Sequence, residues 1–152
     1  MTTLAALRSL IALGESETVE FKRSTAELRR AGETLCAFLN GDGGRVLIGV
    51  GPKNQFVGQQ VADITLRDIA ATLGKIEPAP RIELDRVTLG TRLEVIVLFA
   101  PSSRAFVPFV YDNKPYKRVG SITTAMSQDE YMRFADGKRK RDPRGSLKRD
   151  PP

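Results

Sequence analysis

The sequence predicts an α+β fold, a single domain in which a mixed or antiparallel sheet is packed by two to three helices, with a disordered basic C-terminal tail. Three observations predict it. The 152 residues suffice for one hydrophobic core and are too few for two ordinary ones. Segments of helical period alternate with short apolar runs bounded by glycine, the pattern of helices exchanged with strands. Beyond Gly137 the composition turns to Lys, Arg, Asp, Gly and Pro with Leu147 as the one apolar side chain, so no core can form there. The expected boundaries are a folded domain over residues 1–136 and a tail over 137–152.

Each element has its own signal. Leu4, Leu7, Leu10 and Ile11 form one helical stripe, and Gly14 stands where a left-handed C-terminal cap belongs. Thr18 to Lys22 alternates, with Val19 and Phe21 on one face and Thr18, Glu20 and Lys22 on the other, which predicts a strand whose glutamate points away from the core. Ser24 and Glu27 have capping-box spacing ahead of Leu28, Ala31, Leu35 and Phe38, predicting a helix over 26–40. Val46, Leu47, Ile48 and Val50 read as a strand covered on both faces. A helix over 64–76 follows from Leu66, Ile69, Leu73 and Ile76, with Thr65 and Asp68 as its cap, and Pro78 and Pro80 stop it.

Ile82 to Leu89 and Leu93 to Phe99 flank Gly90-Thr91 as a hairpin, with a bulge expected where the apolar phase switches at Asp85-Arg86. Val110-Tyr111 and Tyr116 to Val119 surround Asp112-Asn113 as a second hairpin, and Pro115 predicts an edge strand. Ser127 and Glu130 open a last short helix, expected to end near Asp136-Gly137.

Charge and rare residues narrow the function. The chain carries 24 basic and 18 acidic residues, a net charge of +6, yet the tail alone holds seven basic and two acidic residues. The body is near neutral, so affinity for polyanions is expected to lean on the tail, above all on Lys138, Arg139, Lys140 and Arg141. The chain has no histidine, which removes Ser-His and Cys-His nucleophiles and the commonest zinc ligand. Cys36 is the only cysteine, so no internal disulfide forms and the cytoplasm is the expected location. The longest apolar run, Val95 to Ala100, is far short of a membrane span.

Three groupings carry candidate chemistry. Glu15, Glu17 and Glu20 beside Lys22 could hold a divalent cation that activates water, or could be a solvated strand face. The loop Asn40-Gly41-Asp42-Gly43-Gly44 could aim N–H groups at a phosphate with Arg45 as counter-charge, although here the glycines follow a helix and precede a strand, the reverse of a phosphate loop. A plain helix-ending turn needs the same glycines. Tyr111, Tyr116, Lys117 and Arg118 interleave aromatic and basic side chains, as a surface that stacks bases and pairs phosphates does, and as an ordinary exposed hairpin also does.

Taken in order, Gly14 to Lys22, then Cys36-Ala37-Phe38-x-Asn40-x-x-Gly43-Gly44 with Ile48-Gly49-Val50, then Tyr116-x-Arg118-Val119-Gly120-Ser121 with Thr123, the chain resembles the Schlafen AlbA-like family over roughly residues 12–125. The resemblance implies an α+β domain that binds DNA or RNA, often within bacterial regulators of transcription, and in some Schlafen members a metal-dependent RNA nuclease. In those members two catalytic carboxylates match Glu15 and Glu20, while the third acid is replaced here by Gly51-Pro52. Asp42 is then the nearest candidate for a third metal ligand.

The expected function is nucleic-acid binding with little sequence preference, through Lys22, Arg45, Tyr116, Lys117, Arg118 and the tail, needing no cofactor. The rival is an endoribonuclease in which Glu15 and Glu20, with Asp42, hold Mg2+ or Mn2+ and Lys22 stabilises developing phosphate charge. A protein-interaction module without nucleic-acid function is the third alternative. No membrane partner is expected, and self-association into a homo-oligomer is left open.

Overall fold

The structure, a computed structural model, describes residues 1–90, 92–103 and 108–140, without the side chains of the last three. A four-stranded mixed sheet in the order β1-β2-β5-β4 lies beside an antiparallel sheet in the order β3-β6-β7-β8. The first sheet comprises β1 (Val19–Lys22), β2 (Gly44–Ile48), β4 (Glu83–Thr88) and β5 (Glu94–Ala100). The second comprises β3 (Ile76–Glu77), β6 (Val110–Tyr111), β7 (Lys114–Val119) and β8 (Ile122–Ala125). Helices α1 (Leu4–Leu13), α2 (Leu28–Leu39), α3 (Asp63–Leu73) and α4 (Gln128–Lys140) complete it. The α+β expectation holds, with two sheets where one was expected.

Side-chain alternation explains the layers. In β2, Val46 and Ile48 join the core beneath α2 and α3, while Leu47 joins Leu7 and Ile11 of α1 on the opposite face. The parallel pairing of β1 with β2 needs a crossover, and α2 supplies it. Helix α2 also packs against β6, β7 and β8, so one helix serves both sheets. Gly32 makes that approach possible: a Cβ there would come within 2.3 Å of the Tyr111 ring.

Helix ends follow their caps. Ser127 and Glu130 form the expected box, Glu130 N–H donating to Ser127 Oγ at 3.1 Å and Ser127 N–H to Glu130 Oε1 at 3.2 Å. Ser24 instead caps a 3₁₀ turn, Thr25–Glu27, and α2 begins at Leu28. Helix α3 starts at Asp63 because Thr65 acts from inside it, its hydroxyl accepting from Ala62 N–H at 3.1 Å.

Several expectations are corrected. The β4-β5 register runs unbroken from Glu83↔Phe99 to Thr88↔Glu94, without the bulge. The phase switch reflects cover instead: Ile82 packs into the core under α2, and Val87 and Leu89 into the core under α1. Pro115 lies in an interior strand, at a point where its carbonyl accepts from Met126 N–H at 2.9 Å and no N–H is needed. Helix α4 continues through Gly137 to Lys140, four residues into the expected tail, and residues 141–152 lie outside the described residues. Asp112 and Asn113, with φ of 49° and 69°, make the second hairpin turn as expected.

Candidate functional site

Strand β1 sets the site. With Val19 and Phe21 committed to the α1 face, Glu20 and Lys22 must take the other face, which is covered by α2 and the β7-β8 hairpin and is not solvent. Both are buried, at 8% exposure, which overturns the expectation that Glu20 points away from the core. Burial of an ion demands partners. Lys22 Nζ donates to Glu20 Oε2 at 2.9 Å, and Arg118 Nη1 of β7 donates to Glu20 Oε1 at 2.8 Å.

Arg118 is the hub. Its side chain is 3% exposed. Besides Glu20, Nη1 donates to Thr123 Oγ1 at 3.0 Å, and Nη2 donates to the carbonyls of Ser16 at 2.7 Å and Val19 at 3.0 Å. The guanidinium lies 5.1 Å from the Phe38 ring centroid, and Thr123 shares a 2.8 Å hydrogen bond with Thr34 of α2. Arg118 Nε is buried without a partner among the described residues. Two cations thus converge on Glu20, and Glu15 brings the second negative charge.

Glu15 Oε1 accepts from Phe21 N–H at 2.9 Å, which folds the preceding turn back onto β1. Burial, above all, pushes the Glu15 carboxyl up from its ordinary range, with the charge of Glu20 and a hydrogen bond to it adding to the rise, while the Phe21 N–H and Lys22 pull it back. The structure therefore brings Glu15, Glu20, Lys22 and Arg118 together.

It does not bring Asp42 to them: among the described residues no three acidic, cysteine or histidine side chains are gathered to hold a metal ion. Both Glu20 oxygens already face cations, so a divalent ion would have to displace Lys22 or Arg118.

The glycine loop is an internal turn. Gly43 N–H donates to the Phe38 carbonyl, and a Cβ on Gly43 or Gly44 would come within 2.7 Å of the Ala100 or Thr18 carbonyl. Asn40 explains the rest of the motif. Its amide donates to the carbonyls of Phe109 at 3.0 Å and Tyr116 at 2.9 Å, and its oxygen accepts from Phe109 N–H at 2.7 Å. Sequence reasoning assigned Asn40 to a loop; its burial at 3% marks it as the pin joining α2 to the second sheet.

The remaining candidates are dispersed. Tyr111 is buried over Gly32. Tyr116 packs against the core with its hydroxyl on Glu33 Oε2 at 3.2 Å. Lys117 pairs with Glu130 of α4. Arg118 being buried, the hairpin presents no surface of interleaved aromatic and basic groups. Arg45 lies on the opposite face of the first sheet from Glu20, stacked 4.5 Å from the Phe99 ring centroid, so these two candidates do not share a surface. Lys138, Arg139 and Lys140 sit on the last turn of α4, and Arg141 lies outside the described residues. Arg23, Arg29 and Arg30, around the start of α2, are exposed, with Arg29 3.7 Å from Glu33.

Compared with known families, residues 15–127 match the model described as Schlafen, AlbA_2. The chain belongs to the Schlafen AlbA_2 family. Among solved structures, a domain of this family member is similar to the N-terminal domain of a protein from Nitrosomonas europaea named for its relation to the ATP-dependent DNA helicase RecG. That similarity has a TM-score of 0.52 and 28% identity, over 67% of this chain and 74% of that one. The DIP2311 protein from Corynebacterium diphtheriae shares the fold, at a TM-score of 0.58 and 17% identity over 89% of this chain. The Schlafen AlbA_2 chain spans only 28% of the length of that protein. No curated protein matches it. Among the described residues no helix is long and apolar enough to cross a membrane.

Proposed function

We propose that this Schlafen AlbA_2 domain binds nucleic acid, DNA or RNA, with weak sequence preference, as part of a cytoplasmic regulator. The family match over residues 15–127 carries the reading, and the similarity to a domain from a DNA-helicase-related protein supports it. With Lys22 and Arg118 neutralised inside the fold and Lys117 paired with Glu130 at its edge, phosphate contacts fall to Arg23, Arg29 and Arg30 and to the basic run Lys138 to Arg141. Fluorescence anisotropy with single- and double-stranded DNA and RNA at two salt concentrations tests it. Affinity should fall steeply between 50 and 200 mM salt, by roughly ten-fold or more for a handful of phosphate contacts. Removing residues 141–152, or reversing charge at Arg29 and Arg30, should flatten that slope. No binding to any of the four polymers at low salt would leave a protein-interaction module as the function.

A second reading, a metal-dependent endoribonuclease, is favoured by one observation: Glu15, Glu20 and Lys22 are neighbours. The donor set as arranged does not fit a resident divalent ion, because Glu20 is spent on two cations. Incubating structured RNA with Mn2+ or Mg2+ decides it: cutting by the native chain that is absent from Glu20→Ala would establish the enzyme.

A further inference from the structure

On the α1 face of the first sheet, Thr2, Arg45, Glu83, Asp85, Val97 and Phe99 line a cavity of about 190 Å3. Strand register builds its floor. Arg45 of β2, Phe99 of β5 and Glu83 of β4 stand directly opposite one another, and the next row toward α1 is Leu47, Val97 and Asp85. Directly opposed residues share a face of the sheet, so one row presents guanidinium, aromatic ring and carboxylate in succession.

The polar groups of this row have unused capacity. Arg45 stacks on Phe99 and makes no ion pair among the described residues, and the Glu83 carboxylate makes no hydrogen bond or ion pair there. Asp85 uses Oδ2 to accept both the Thr2 N–H at 2.6 Å and the Thr2 hydroxyl at 2.7 Å. Those bonds fix the start of α1 at the cavity wall and hold the Asp85 carboxyl below its usual range, so it stays ionised.

Charge and size choose the ligand. The Arg45 guanidinium and the N-terminal ammonium of Met1 face two carboxylates, so the cavity has no excess positive charge to hold a phosphate, and the volume is below the roughly 300 Å3 of pockets that take drug-sized ligands. What fits is one planar ring system, neutral, with acceptors on the edge toward Arg45 and donors on the edge toward the acids. Guanine carries O6 and N7 on one edge and the N1–H and N2 amino donors on another, and arginine bidentate to O6 and N7 is the commonest specific base contact. Adenine places an amino donor beside N7, facing the guanidinium, and has no donor for the carboxylates on the opposite edge. Uracil offers a single ring N–H flanked by acceptors.

We infer that this cavity is a guanine-base site, read by Arg45 on one edge and Glu83 on the other, with the base coplanar with the guanidinium and spanning the row between them; the inference rests on the nucleic-acid reading above and adds a base preference to it.

A titration of the full chain with guanosine, inosine and uridine, followed by 1H–15N NMR, tests the cavity without any strand. Guanosine should give saturable shifts at the amides of residues 45, 83, 85 and 99. Inosine, lacking the N2 amino group, should bind about ten-fold more weakly, the scale of one base contact. Uridine should leave these amides unmoved. Arg45→Lys and Glu83→Gln, both at partly exposed strand positions, should each abolish the preference for guanosine while preserving the spectrum elsewhere. Absent shifts, or equal shifts with uridine, overturn the inference. Anisotropy with G-rich and U-rich RNA separates this from the broader reading. Equal affinity for both strands without guanosine shifts refutes the cavity alone. Guanosine shifts without strand binding refute the nucleic-acid reading and leave a nucleoside site.

Discussion

Two arginines in this molecule, both flagged by sequence as phosphate contacts, have opposite circumstances. Arg118 is enclosed, with both terminal nitrogens bonded to a carboxylate, a hydroxyl and two carbonyls. Arg45 lies along an aromatic ring with its donors uncommitted among the described residues. The difference teaches that a cation's value for recognition depends on what the fold has already attached to it. A guanidinium whose two terminal nitrogens are matched to acceptors away from solvent is a strut, and removing it strands the charge it neutralised. One with spare donors beside a cavity is available to a ligand.

The largest expected effect breaks the enclosed side of that contrast. Arg118→Met leaves Glu20 paired with Lys22 alone and takes one hydrogen bond from each of the Ser16 and Val19 carbonyls, which keep only their mutual backbone bridge, and urea denaturation should show a loss of about 3–5 kcal/mol, the range for breaking a buried ion pair. A loss under 1 kcal/mol would show that water reaches the seam. Next comes the pin. Asn40→Ala removes three hydrogen bonds to backbone groups at once, and leaving their partners buried should cost about 2–4 kcal/mol by the same measurement.

Glu15 gives a smaller effect that sharpens the electrostatics. Its carboxyl lies above the ordinary value of 4.5, so the folded state holds its proton longer than the unfolded chain does. The contribution is therefore stabilising below pH 4.5 and is lost as pH rises through the raised value. Glu15→Gln keeps an acceptor for Phe21 N–H and removes the repulsion with Glu20. It should gain less than about 1 kcal/mol at neutral pH, since the group is partly solvated, and flatten the acid limb of the stability profile. The smallest effect belongs to Arg45→Ala, within about 0.5 kcal/mol of the native chain, as for surface positions away from any buried network. A larger loss would move Arg45 to the same structural class as Arg118.

Much of the frame was readable locally. The stripe of α1, the doubly covered β2, the Asp112-Asn113 turn and the Ser127-Glu130 box each depend on residues a few positions apart, and each stands as expected. The site was legible in part: Glu15, Glu20 and Lys22 do assemble, but as a buried knot. The alternation of β1 showed that Glu20 and Lys22 share a face, yet what covers that face is a hairpin 98 residues away from Glu20. Periodicity carries no information about such a neighbour. The same limit hid Asn40, whose partners lie 69 and 76 residues onward, and the row of Arg45, Phe99 and Glu83, drawn from three strands.

Because Asn40 ties the end of α2 to Phe109 and Tyr116, the two sheets cannot be divided by cutting the chain between them. A fragment stopping at residue 103 would retain β1, β2, β4 and β5 but strip the cover from Leu35, Phe38, Glu20 and Lys22 together. Limited proteolysis should accordingly yield either intact protein or small peptides, with no long-lived half molecule.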